Sequence, residues 1–239
     1  MKTFHIGCSG YYYPNWKNKF YPAGTAPKNW LEYYSTVFNT VELNGTFYRT
    51  PKLSDLKKYA AVTPKDFTFS VKMNKYITHT IKMKDSGEDI LKLQGLIMEG
   101  LQNKLSCFLF QLPPSFHYSD ENLERIINNI PPHAQNVIEF RHISWWNDDV
   151  VKAFKKAKLT FCNIDHPAIK SFFIRTTPYF YLRLHGNPEL FKSSYAKSEL
   201  ENFSDKFPAT AKFYSVYFNN TYYEAGYTNA LQLMNIIEK

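Results

Sequence analysis

The sequence predicts a parallel α/β fold, one TIM-like (β/α)8 barrel, and three observations lead to that expectation. Short apolar or β-branched runs alternate with amphipathic segments along the whole chain, which selects parallel strands joined by helical crossovers. These units recur roughly every 30 residues, so a chain of 239 residues holds the eight that a barrel requires. The loop after the first strand reads Gly7-Cys8-Ser9-Gly10 rather than Gly-x-Gly-x-x-Gly, which disfavours the competing doubly wound open sheet. No linker-like or low-complexity segment divides the chain, so residues 1–239 are expected to form a single domain.

Taken in order, Phe4 to Gly7 is the first strand, followed by an aromatic loop from Tyr11 to Tyr21. Pro27 to Tyr34 can form a helix with Pro27 in its first turn. Thr40 to Leu43 is a strand carrying Glu42, broken by the turn dipeptide Asn44-Gly45. A helix runs from Pro51 and Ser54 to about Ala61, with Ser54 as N-cap, and Thr68 to Lys72 is the third strand. Ile90, Leu93, Ile97 and Leu101 keep helical spacing in a helix from Gly87 to Asn103, which Ser86 is placed to cap. Leu105 to Gln111 is the fourth strand, stopped by Pro113-Pro114. Leu123, Ile126, Ile127 and Ile130 mark a helix ended by Pro131-Pro132. Asn136 to Phe140 is the fifth strand, Asp148 to Ala157 a helix and Thr160 to Ile164 the sixth strand. A poorly patterned crossover leads to the seventh strand, Tyr179 to Leu184. Glu189 to Pro208 reads as one helix, Phe213 to Phe218 as the eighth strand, and Ala225 to Ile237 as the last helix.

Composition sets the outer limits. Hydrophobic residues at 44% and charged residues at 21% describe a globular chain able to bury a core. No apolar run is long enough for a membrane span, and the N-terminus lacks an apolar signal core. Cys8, Cys107 and Cys162 are odd in number and widely spaced, which fits reduced core thiols and a cytoplasmic location. The net charge of +8 favours an anionic partner, a phosphorylated small molecule or a nucleic acid. Much of the excess is lysine on helix faces, for example Lys152, Lys155, Lys156 and Lys158, where a solvated surface is the plainer reading.

In a barrel the carboxyl ends of the strands converge on one mouth. Glu42, Glu139, His185 and Lys72 are expected there as acid, base or nucleophile. Arg141, Arg183, Asn44, Tyr48, Gln111, Asp165 and Asn219 are expected to bind substrate, with Ser9 beside them. Each has a structural alternative: the carboxylates and cations can close on one another as buried ion pairs. Likewise the tyrosines and tryptophan of the aromatic loop can stack on a sugar or base, or merely cover the barrel end. His79 is a second histidine candidate. No tight ligand spacing such as His-x-x-x-His points to a metal, and no cofactor is specified.

Several stretches together resemble the domain-of-unknown-function family 72, the YecE-like proteins. They include Ile6 to Gly10 with Tyr13-Pro14-Asn15-Trp16, Phe38 to Asn44 with Thr46-Phe47-Tyr48, and Phe69 to Lys72. The others are Phe20-Tyr21-Pro22, Ile77-Thr78-His79, Phe110 to Phe116, Val137 to His142 with Ser144-Trp145, Tyr181 to Gly186, and Tyr217 to Asn220. They span nearly the whole chain. The resemblance implies a TIM-like barrel and brings no assigned reaction. Cys8 stands where the family usually has Thr, while Glu42, Asn44, Phe47 and Tyr48 match its Glu-x-Asn-x-x-Phe-Tyr pattern and Asp165 its acid after the sixth strand.

The expected function is an enzyme that binds a small anionic, phosphate- or sugar-bearing substrate at the C-terminal mouth. Hydrolysis, isomerisation and lyase chemistry are all open. The alternatives are a nucleic-acid-binding or processing protein, which would use the basic surface and aromatic loop, and a non-catalytic ligand-binding barrel.

Overall fold

Every strand pairing is parallel. In the computed structural model, which describes residues 2–133, 135–169 and 173–238, eight strands form one sheet. They are β1 (Thr3–Cys8), β2 (Thr40–Leu43), β3 (Thr68–Lys72), β4 (Leu105–Gln111), β5 (Asn136–Glu139), β6 (Thr160–Asp165), β7 (Tyr179–Leu184) and β8 (Phe213–Phe218). The order β1-β8-β7-β6-β5-β4-β3-β2 brings the two ends of the sheet back to each other. The helices are α1 (Trp30–Val37), α2 (Gly45–Tyr48), α3 (Leu53–Val62), α4 (Gly87–Leu101), α5 (Asp120–Asn129), α6 (Asp148–Ala157), α7 (Lys197–Asp205) and α8 (Ala225–Ile237).

The closure between β1 and β2 is made mostly by side chains. One backbone bridge, Ser9 with Glu42, joins the strands at the mouth. Below it, the Asn39 side chain accepts from Ile6 N at 3.2 Å and donates to Phe4 O at 2.9 Å. Tyr34 Oη accepts from Cys8 N at 2.7 Å and donates to Thr40 O at 3.1 Å. These groups satisfy buried backbone atoms that have no ladder partner across the seam. Gly7 is required here by close approach: a Cβ would lie 2.3 Å from Thr40 O and 2.8 Å from Tyr34 Oη.

The barrel interior is a packed core rather than a pore. Cys107, Leu109, Val137, Cys162, Ile164, Tyr181 and Tyr217 are all at most 1% exposed. Tyr217 Oη sits between Thr40 Oγ1 at 2.7 Å and Ser70 Oγ at 2.9 Å. Outside, each helix turns its apolar stripe to the sheet, as Leu123 and Ile126 do in α5 and Val150 and Phe154 in α6. The lysines of α6 face outward and are exposed.

Several local expectations change. Ser54 lies inside α3, whose cap position is Lys52. Ser86 does occupy the cap of α4, but its hydroxyl makes no capping bond; Asn129 of α5 instead accepts from Ser86 N at 2.8 Å and Gly87 N at 3.0 Å. Asn44-Gly45 opens the single helical turn α2, not a reverse turn, because Thr46 Oγ1 bonds Leu43 O and Lys72 O and pulls the turn onto β3. α4 ends at Leu101, with a short tight turn over Gln102–Lys104. Of the segment Glu189 to Pro208, only Lys197–Asp205 is helix. The sixth crossover has no helix among its described residues. Most of the aromatic loop is packing: Trp16 is fully buried and Tyr21 stacks on Trp30 with ring centres 4.7 Å apart.

Candidate functional site

Strand alternation decides which side chains meet at the mouth. Tyr181, Arg183 and His185 share one face of β7 and its extension, as Glu139 and Arg141 do at β5. Glu42 is the penultimate residue of β2 and Lys72 ends β3. All of them except Lys72 belong to one connected polar network.

Arg183 is its centre. Its Nη1 donates to Glu139 Oε2 at 2.6 Å, and its Nη2 donates to Glu42 Oε1 at 2.6 Å and to Ser9 Oγ at 2.8 Å. Glu42 also accepts from Ser9 Oγ and, through Oε2, from Tyr181 Oη at 2.7 Å. Glu139 accepts from Arg141 Nε through its other oxygen. Arg141 Nη2 reaches His185 Nε2 at 3.2 Å, and Asn219 Nδ2 lies 2.9 Å from His185 Nδ1. As placed, the Asn219 amide donates to Nδ1, and Nε2 faces both Arg141 Nη2 and Glu139 Oε1, the latter 3.5 Å away.

The electrostatics follow from burial and neighbours. Burial raises the Glu139 carboxyl, but Arg141 and Arg183 outweigh it and hold the group ionised, well below the usual range. Burial, with Arg141 beside it, pushes His185 well below its usual value, so the imidazole is neutral. Burial lowers Arg183, but Glu139 and Glu42 overcome that and raise it. Burial and Glu42 hold Tyr181 protonated, well above its usual value.

Lys72 differs from the rest. Glu42 and Glu139 are already held by arginines, and among the described residues Lys72 has no ion pair. Its Nζ sits 4.0 Å from the centre of the Phe47 ring. Burial, and then the positive charge of Arg183, lower its pKa to about 8, with Glu139 and Glu42 opposing in part. Three cations therefore face two carboxylates here, and the unmatched cation is the one at the rim.

Other expected residues take different places. Gln111 lies beside the network, its amide donating to Leu112 O at 2.9 Å and standing 3.4 Å from His79 Nε2. His79 is lowered to about 4 by burial, then by Lys72. Asn44 donates to Ser9 Oγ at 2.8 Å and so borders the network. Asp165 turns the other way, its Oδ2 accepting from Tyr195 Oη at 2.7 Å, because Cys162 and Ile164 take the inward positions of β6. Tyr48 is 78% exposed on α2 and joins none of these bonds. Two members were not anticipated: Tyr181, and His166, whose ring centre is 5.8 Å from that of His185. Alternation within β7 and β6 was the available signal for both. Among the described residues, no group of three or more His, Cys, Asp or Glu side chains is arranged to hold a metal ion.

The profile of the family described as "Protein of unknown function DUF72" matches residues 5–239. The chain belongs to the DUF72 family. A DUF72 family crystal structure from Thermotoga maritima MSB8 is 30% identical and superposes with a TM-score of 0.88, covering 99% of this chain and 100% of that one. Another DUF72 family structure, from Enterococcus faecalis V583, is 19% identical with a TM-score of 0.80, covers 100% of this chain and 99% of that one, and shows the fold alone. The UPF0759 protein YunF of Bacillus subtilis is 30% identical over 141 residues, which is 54% of this chain and about half, 49%, of YunF. The family assignment and the TIM-like barrel thus stand together. No helix among the described residues is long and apolar enough to cross a membrane.

Proposed function

We propose that this DUF72 barrel is an enzyme that binds a small anionic, phosphate- or sugar-bearing substrate at its C-terminal mouth and moves protons there. Lys72 and Arg141 hold the anion. Lys72, with a pKa of about 8, is poised to exchange a proton near neutral pH. His185, neutral and fixed by Arg141 and Asn219, supplies a second proton-carrying group. Glu42, Glu139 and Arg183 are the positioning layer beneath, which holds Arg141 and His185 in place. Asn219 and Gln111 complete the polar rim.

The observation that supports this reading is Lys72: a cation drawn into the barrel, set over an aromatic ring, with every nearby carboxylate already engaged. A desolvated, unmatched cation is a standing demand for an anion. The three buried, unpaired cysteines support a cytoplasmic setting.

Calorimetric titration with inorganic phosphate tests the reading. The unaltered protein binds phosphate, and Lys72→Met weakens it by about tenfold or more, equivalent to about 1.4 kcal/mol. Equal affinity in both proteins, or no binding in either, overturns it.

A further inference from the structure

Beside the polar mouth lies a cleft of about 480 Å³, lined by Tyr11, Tyr12, Tyr13 and Tyr59 together with Asn44 and Arg49. Its volume falls in the range of small-molecule sites. Tyrosines enter it from two directions, the loop after β1 and helix α3. Tyr12 is 58% exposed and Arg49 is also exposed, so both are available to a ligand. Asp55 lines the same cleft, and neither it nor Arg49 is in any ion pair of the described residues.

Asn44 links cleft and mouth. Its Nδ2 donates to Ser9 Oγ at 2.8 Å, the same hydroxyl that accepts from Arg183 Nη2 at 2.8 Å. Its Oδ1 is buried and has no hydrogen-bond partner among the described residues, and a buried acceptor in that state calls for a donor. On the same wall Thr46 Oγ1 donates to the carbonyl of Lys72 at 2.6 Å. The cleft therefore offers aromatic faces, one guanidinium and one carboxylate, and its Thr46 wall is bonded to the backbone of the unmatched lysine. Aromatic faces with mixed donors and acceptors suit a ring bearing hydroxyl or amino groups.

We propose that this cleft seats the ring of a phosphate monoester, a sugar phosphate or a nucleotide, whose phosphate lies at Lys72 and Arg141. The proposal rests on the anion-binding reading of the mouth and adds the rest of the ligand. It is tested by titrating inorganic phosphate, ribose phosphate and adenosine monophosphate into the unaltered protein, Tyr12→Ala and Arg49→Ala. At least one ester binds the unaltered protein about tenfold tighter than phosphate, and each variant loses about fivefold or more for that ester while keeping its phosphate affinity. An advantage shared by both esters assigns the sugar to the cleft; one confined to adenosine monophosphate assigns the base. Phosphate binding without any ester advantage overturns the cleft alone, as does an ester affinity unchanged in both variants or a loss equal for ester and phosphate. Absence of phosphate binding to the unaltered protein overturns the mouth reading and this inference together.

Discussion

The Nη2 atom of Arg183 lies 2.6 Å from Oε1 of Glu42, and both side chains are at most 1% exposed. The pair reaches from β7 to β2 and, with Glu139, makes a layer of charge sealed between the apolar barrel interior and the rim. Removing one member of such a pair strands the other in a medium that cannot solvate it. Glu42→Gln is therefore expected to destabilise the fold by about 3–5 kcal/mol, read from urea denaturation. Lys72→Met should leave stability unchanged or raise it, since it removes a desolvated cation that has no ion pair among the described residues. A stable Glu42→Gln protein would contradict the positioning role given to that carboxylate.

The seam between β1 and β2 makes a separate prediction. Gly7→Ala would drive a methyl against Thr40 O and Tyr34 Oη, at 2.3 and 2.8 Å before relaxation. One of these is backbone, so the strands must part, at a cost of about 1–3 kcal/mol or more. Tyr34→Phe keeps the packing but strips the partner from Cys8 N, at about 1–3 kcal/mol. A thermal melt of each variant checks this, and an unchanged melting temperature for both would mean that the seam is not held as described.

Anion binding should depend on pH through Lys72. Its pKa of about 8 means that the ammonium is present below that value and lost above it. Sulfate is a suitable probe because its own charge does not change over this range. Its affinity should be level near neutrality and fall as pH rises through about 8, and Lys72→Met should show no such step. A decline beginning only near the ordinary lysine value of 10.5 would contradict the assignment.

Acid stability follows from the histidines. His79 is held at about 4 against 6.5 in the unfolded chain, and His185 is also depressed. Between the folded and unfolded values the unfolded chain binds protons that the folded one does not, so stability falls as pH drops below about 6.5. Glu139, with a depressed carboxyl, adds loss only below its unfolded value of 4.5. Urea midpoints measured from neutral pH down to about pH 4 should decline over that window, and His79→Gln should flatten part of the slope. Midpoints that stay constant across it would show that these imidazoles are not held neutral.

Much of this was legible in the sequence, because apolar strands buried on both faces read as continuous runs and their helices as periodic ones. All eight strands lie where those patterns put them, and Glu42, Glu139, Arg141, Arg183, His185 and Asn219 do meet. The errors come from finer physics. Asp165 and His166 are neighbours, and only the parity of β6 sends one outward to Tyr195 and brings the other beside His185. Ser86 has the right residue type for a cap, but a tertiary partner, Asn129, took the role. Tyr48 lies within a matching family pattern yet faces solvent, since the α2 turn points Phe47 inward beneath Lys72. That Lys72 would lack an ion pair was not readable at all, because it depends on both carboxylates being taken by arginines from other strands.

Lys72 as an unmatched cation at the mouth is the central claim, and a heteronuclear NMR titration of isotope-labelled lysine side chains tests it directly. One lysine, absent from the spectrum of Lys72→Met, should titrate at about 8 and move upward when inorganic phosphate is added. If every lysine titrates near 10.5 and none responds to phosphate, the proposed anion site is wrong.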